Sequence, residues 1–190
     1  QFFCWFAFMY MWTYTNGTVA ANCWNVDMLA HDATTTAGYQ EAGNWVGIIF
    51  AIQAIGSVVW ATILPQFKNR KLAYALSLIL GGIGFVMAAY IHNQYVMFIP
   101  FILIGCAWAA MLAMPFTFVT NALEGYGHMG AYLGLFNGTI CIPQIIAAAI
   151  GGLLLQLVGP EQSHMMIVAG IALVLGAISV GVIKEHKASE

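Results

Sequence analysis

In the run GAYLGLFNGTICIPQIIAAAIGGLLL, from Gly130 to Leu155, two amide side chains and a proline interrupt an otherwise apolar helix. At about 100° per residue, Gly130, Gly134, Asn137, Gly138, Cys141, Gln144 and Ala148 share one sector, and Leu135, Ile142, Ile146 and Leu153 fall opposite. Asn137 and Gln144 donate and accept hydrogen bonds but neither move protons nor attack carbon, so the chemistry on offer is recognition. The small face admits two uses. The doubled G-x-x-x-G of Gly130, Gly134 and Gly138 suits close packing or sliding against a neighbouring helix, and the two amides suit a water-filled cavity. Pro143 removes one backbone hydrogen bond, frees a carbonyl one turn earlier and supplies a bend.

Other segments carry the same recognition chemistry. Tyr10, Tyr14 and Thr18 recur at intervals of four, next to Asn16, after the aromatic opening Phe2, Phe3, Trp5, Phe6 and Phe8. Rings beside hydroxyls and amides suit a sugar, whose C–H faces stack while its hydroxyls hydrogen-bond; anchoring at the membrane interface is the plainer reading of the same residues. Asn16-Gly17-Thr18 also matches a glycosylation acceptor, too short a pattern to carry weight. Gln53, Ser57 and Trp60 form a stripe expected to face other helices rather than lipid. Gly105, Trp108, Ala109 and Leu112 form a small and large face, with Trp108 a second candidate for stacking and Pro115 placed to bend that helix.

Helices in lipid must position these groups. Of 190 residues, 62% are hydrophobic and 6% charged, with a mean hydropathy of +0.85 over the whole chain, whereas about a quarter charged is usual in a soluble domain. Six segments approach the roughly 20 apolar residues that a membrane crossing requires. They are Gln1 to about Ala21, Asn44–Leu64, Leu72–Ile91, Tyr95–Val119, Gly130–Val158 and Met165–Ile183. Lys68, Arg70 and Lys71 follow the second, and Lys184 and Lys187 the sixth, which puts both clusters on one side. That side is expected to be cytoplasmic, with both chain ends on it. Trp24, Trp45, Tyr90 and Tyr95 are expected at the outer boundary. Cys4, Cys23, Cys106 and Cys141 form no C-x-x-C pair and read as small hydrophobes. The opening Gln1-Phe2-Phe3 reads as a position inside a longer polypeptide, so the chain is taken as one domain, residues 1–190.

Several functions lack the residues they need. A net charge of −2 offers no basic face for nucleic acid. No Asp, Glu, Lys, Arg or His lies deep in any span, so an ion relay within this stretch alone has no carrier. H-E-x-x-H and a glycine-flanked nucleophilic serine are absent, and no catalytic residue, metal ligand or cofactor is assigned.

Two stretches resemble a known family. GCAWAAMLAMPFTFVTNAL and GAYLGLFNGTICIPQIIAAAIGGLLL are similar to the tenth and eleventh helices of major facilitator superfamily transporters of the sugar:cation symporter type, the glycoside-pentoside-hexuronide and sucrose symporters. QFFCWFAFMYMWTYT looks like their seventh helix, and LPQFKNRKLAY stands where the superfamily has a basic loop, here without its usual Gly and Asp. The resemblance covers essentially the whole chain as a C-terminal half. It implies an all-α membrane protein of six transmembrane helices, one half of a bundle whose N-terminal half is absent from this sequence. It further implies symport of a sugar, a disaccharide or glucoside, with a proton or cation by alternating access in a bacterial inner membrane, by a monomeric transporter. The substrate-binding residues on this reading are Tyr14, Asn16, Gln53, Trp108, Asn137 and Gln144. A self-contained six-helix channel or scaffold, and a drug exporter of the same fold, are the competing readings.

Overall fold

A computed structural model describes residues 1–125 and 127–183, which form six α-helices joined by short turns. They are α1 (Phe2–Trp24), α2 (Ala37–Ile63), α3 (Arg70–Tyr90), α4 (Phe98–Ala122), α5 (Met129–Val158) and α6 (Gln162–Val180). The helices alternate in direction. One end of the bundle therefore gathers the start of α1, the α2–α3 turn and the end of α6; it is called the basic end below. Lys184 and Lys187 lie outside the described residues.

The starts of α2 and α3 follow side-chain caps rather than the limits of apolar runs. Thr36 accepts from the Tyr39 N–H at 3.2 Å, so α2 starts at Ala37, seven residues before the expected Asn44, and the long connection shrinks. Asn69 accepts from the Leu72 N–H at 3.0 Å, which places Arg70 and Lys71 in the first turn of α3 rather than in a loop. Asn93 captures the N–H groups of Tyr95 and Val96 at 2.9 and 3.2 Å, delaying α4 to Phe98 and correcting the expected start at Tyr95. The sixth helix is likewise shifted, from the expected Met165–Ile183 to Gln162–Val180. Capping polar groups are short-range and override hydropathy by a few residues.

Five of the six helices, α2 to α6, are long and apolar enough to cross a membrane; α1 is not. The position of α1 supplies the reason. Helix α1 packs against α2, α5 and α6, so most of its surface never meets lipid. Two of its buried hydroxyls are satisfied within the helix: Thr15 donates to the Met11 carbonyl at 2.5 Å and Thr18 to the Tyr14 carbonyl at 2.8 Å. A helix in this place needs helical backbone bonding, not uniform hydrophobicity.

Small residues set the remaining contacts, as expected where lipid is as apolar as the side chains and close packing drives association. At the α2–α4 crossing, a Cβ on Gly56 would sit 3.0 Å from the Ile102 carbonyl oxygen and one on Gly105 would sit 2.9 Å from the Ser57 nitrogen. Gly82 of α3 and Gly170 of α6 face each other's carbonyl oxygens, which a Cβ on either would meet at 3.0 and 2.8 Å. Trp60 of α2 reaches α3, donating from Nε1 to Ser77 Oγ at 2.8 Å, so the Gln53, Ser57 and Trp60 stripe does face the bundle. At the end away from the basic clusters, Trp45 stacks on Phe98 at 5.6 Å, meets Trp24 and Tyr95, and donates to the Gln94 carbonyl at 3.0 Å. This is the aromatic belt expected from the sequence, with Tyr90 exposed beside it.

Candidate functional site

Helix α1 is held on two flanks. On one flank Trp5, Phe8 and Trp12 surround Trp108 of α4, with ring centroids 5.9, 5.0 and 5.8 Å away. On the other, Tyr10 and Tyr14 press on Gly151 of α5, where a Cβ would lie 2.9 Å from the Tyr14 hydroxyl and 3.3 Å from the Tyr10 ring. Toward the basic end a cavity of about 280 Å³ lies between α1, α4 and α5. Gln1, Trp5, Met111, Leu112, Phe116, Leu133, Phe136, Asn137 and Ile140 line it, and none is charged. Such a site can stack a ring and hydrogen-bond to it but cannot hold an ion by charge.

The structure divides the expected binding residues. Asn137 is exposed and lines the cavity. Trp108 does not stand open: three α1 rings cage it, so its role is to tie α4 to α1. Tyr14 is buried and turned to α5. Asn16 is half-buried with its amide along Gly43 of α2, where a Cβ would lie 3.6 Å from both its Oδ1 and its Nδ2. Its Oδ1 lacks a hydrogen-bond partner, as does the Tyr10 hydroxyl. Gln53 is buried at the α2–α4 crossing, where its backbone carbonyl faces Gly105. Gln144 spends its amide locally, Nε2 donating to the Ile140 carbonyl of its own helix at 3.1 Å.

Helix α5 is rotated relative to the expectation. The stripe it turns inward is Leu133, Phe136, Ile140, Pro143, Ala147, Gly151 and Leu154, about a quarter turn from the small and polar face. Around Gly130 and Gly134 nothing lies within 4 Å of a would-be Cβ, and Gly138 meets only Ile142 of its own helix at 4.0 Å. These glycines therefore pack against no other described helix, contrary to a reading of them as contacts within this bundle. The lipid-type residues Leu135, Ile142 and Leu153 are exposed, as expected. Pro143 and Pro115 are both buried inside helices that continue past them.

Trp12, 43% exposed, is the open ring of the aromatic cluster around Trp108, and sequence reasoning passed it over. Its signal was present: Trp5, Phe8 and Trp12 stand at i, i+3 and i+7, one helical face, but nothing local said that Trp108 would fill the space between them.

In the basic cluster, Lys71 donates from Nζ to the Ile183 carbonyl at 2.5 Å and reaches the Gly181 carbonyl at 3.5 Å, capping the end of α6. Lys68 and Arg70 remain exposed, and Arg70 lines a cavity of about 300 Å³ with Pro65, Phe67, Met114 and Thr117.

The six helices, five of them long and apolar enough to span a bilayer, define an all-helical integral membrane protein. The chain belongs to the Major Facilitator Superfamily, whose family model matches residues 2–190; it is a family of transporters, not enzymes. Among similar proteins is the magnetosome protein MamH of Paramagnetospirillum magneticum, 29% identical over 148 residues, 77% of this chain and 34% of that protein. The chain thus spans about a third of the relative it matches. No solved structure matches it significantly.

Proposed function

We propose that this chain forms the substrate-binding C-terminal half of a sugar:proton or sugar:cation symporter that works by alternating access. The observation that carries the reading is the uncharged cavity between α1, α4 and α5, where the Trp5 indole and the Asn137 amide share one lining. A disaccharide or glucoside offers the matching chemistry, apolar ring faces and a rim of hydroxyls. A second six-helix half would close the cavity and carry the coupling carboxylates, since no lining residue here is charged.

The unburied helices support that arrangement. In their most apolar stretches α2 and α5 bury 22% and 17% of residues, against 56%, 50% and 56% for α3, α4 and α6. The open faces of α2 and α5, with Gly47, Gly130 and Gly134 free of neighbours, suit close approach by the second half. The basic end would be cytoplasmic in a bacterial inner membrane, and the transporter monomeric. The name of the magnetosome relative leaves the substrate open.

Uptake of radiolabelled maltose, sucrose and glucosides by cells carrying the full reading frame, with and without an ionophore, tests substrate and coupling together. Ionophore-sensitive uptake of one of them is the expected result. No sugar uptake, with efflux of hydrophobic cations instead, would make the protein an exporter.

A further inference from the structure

We propose that Gln1 and Asn137 form a two-walled amide clamp in the cavity between α1, α4 and α5, and that Trp5 positions Gln1 so that its amide N–H groups meet acceptor oxygens of a neutral, polyhydroxylated ligand. The inference rests on the sugar-transport reading and names the residues that would hold the sugar's hydroxyls.

The three side chains share one space. Gln1, at the N-cap of α1, Trp5 one turn along, and Asn137 of α5 all line the cavity of about 280 Å³. The other lining side chains, Leu112 and Phe116 of α4 and Phe136 of α5 among them, are apolar. Polar recognition inside the cavity therefore falls to two amides and one indole.

Chemistry fixes which way the Gln1 amide is turned. The Trp5 indole Nε1 donates to Gln1 Oε1 at 3.2 Å. An indole N–H only donates, so the end of the amide it meets must be the oxygen, and Nε2 with its two N–H groups is the end left over. Among the described residues Nε2 has no hydrogen-bond partner. Trp5 is itself held: it is 8% exposed, and Trp108 meets it at 5.9 Å and an interplanar angle of 74°. The ring is thus set before a ligand arrives, and the amide it holds loses little further freedom on binding.

Across the cavity Asn137 is exposed and forms no side-chain hydrogen bond among the described residues. Gln144, two turns further along α5, shows the alternative: it donates to the Ile140 carbonyl of its own helix and lies off the lining. Gln1 is left to donate, whereas Asn137 can donate and accept. A ligand that fits offers acceptor oxygens to α1, hydroxyls to α5 and apolar C–H faces to the rest, without a charge that the lining could not neutralise.

The test uses the full-length transporter in membrane vesicles and uptake of radiolabelled maltose, sucrose and a glucoside, with KM and maximal rate normalised to the amount of folded protein. Gln1→Met and Asn137→Ala are each expected to raise KM about tenfold, the loss of one good hydrogen bond. Trp5→Phe keeps a ring but removes the N–H, and is expected to raise KM about threefold when Gln1 is present. In the Gln1→Met background it should change KM by less than about 1.5-fold, because the group it positions is gone. If Gln1→Met or Asn137→Ala leaves KM within about twofold, there is no clamp and the proposal is wrong while the sugar reading stands. A Trp5→Phe effect of equal size in both backgrounds makes Trp5 a packing residue and overturns its positioning role. If the unaltered protein moves no sugar, the sugar reading itself falls and this inference with it.

Discussion

Replacing Gly105 with alanine tests whether glycine contact between α2 and α4 holds the bundle. The new Cβ would sit 2.9 Å from the Ser57 nitrogen and 3.2 Å from the Gly56 carbonyl carbon, both backbone atoms that cannot rotate aside. Ordinary contact distances for such a carbon begin near 3.4 Å, and the Gln53 carbonyl oxygen lies closer still, so the two helices must part by at least half an ångström along their crossing. A gap of that size forfeits about a quarter of the dispersion energy of each facing atom pair. Forced separation of this kind typically costs about 1–3 kcal/mol. At a few degrees per kcal/mol for a domain of this size, the melting temperature should fall by about 5 °C. The assay is thermal unfolding of the detergent-solubilised protein, followed by size-exclusion of the folded fraction, with Gly134→Ala as control because a Cβ there meets nothing within 4 Å. Gly105→Ala melting within about 1 °C of the unaltered protein, or Gly134→Ala falling as far, would refute the reasoning.

Two further outcomes follow from the same contacts. Trp108→Ala should destabilise by about 3 kcal/mol, the low end for a half-buried indole, because Trp5, Phe8 and Trp12 would face a void; melting temperature measures it. Gly134→Leu should leave the contacts of this six-helix chain unchanged yet lower transport by the whole protein at least tenfold, if a second half packs on the open face of α5; unaltered uptake would remove that face from the interface.

Much of the architecture was legible. Continuous apolar runs separated by short polar breaks gave six helices in the right order, because a chain in lipid must satisfy its backbone within each helix. The aromatic belt around Trp45 and the inward stripe of Gln53, Ser57 and Trp60 were legible too, as local periodicity places residues on a face. Helix ends were less so. The Thr36 and Asn69 caps, and the turn that Asn93 holds before α4, decide them through local hydrogen bonds that average hydropathy does not register.

The site divides along the same line. Sequence alone determined that α5 has a small and polar face bearing Asn137 and Gln144, since the 3.6-residue repeat fixes which side chains share a side. It could not determine which way that face turns. Only tertiary packing, with Gly151 fitted against Tyr10 and Tyr14, rotates Leu133, Phe136 and Ala147 inward and leaves Gly130 and Gly134 open. Packing likewise puts Asn137 on the cavity wall and ties Gln144 to Ile140. The same holds for the tryptophans: composition supplied them, but contact between residues about a hundred positions apart decided that Trp108 is caged and Trp12 open. A helix's own repeat sets its faces; the shapes of its neighbours set which face is buried.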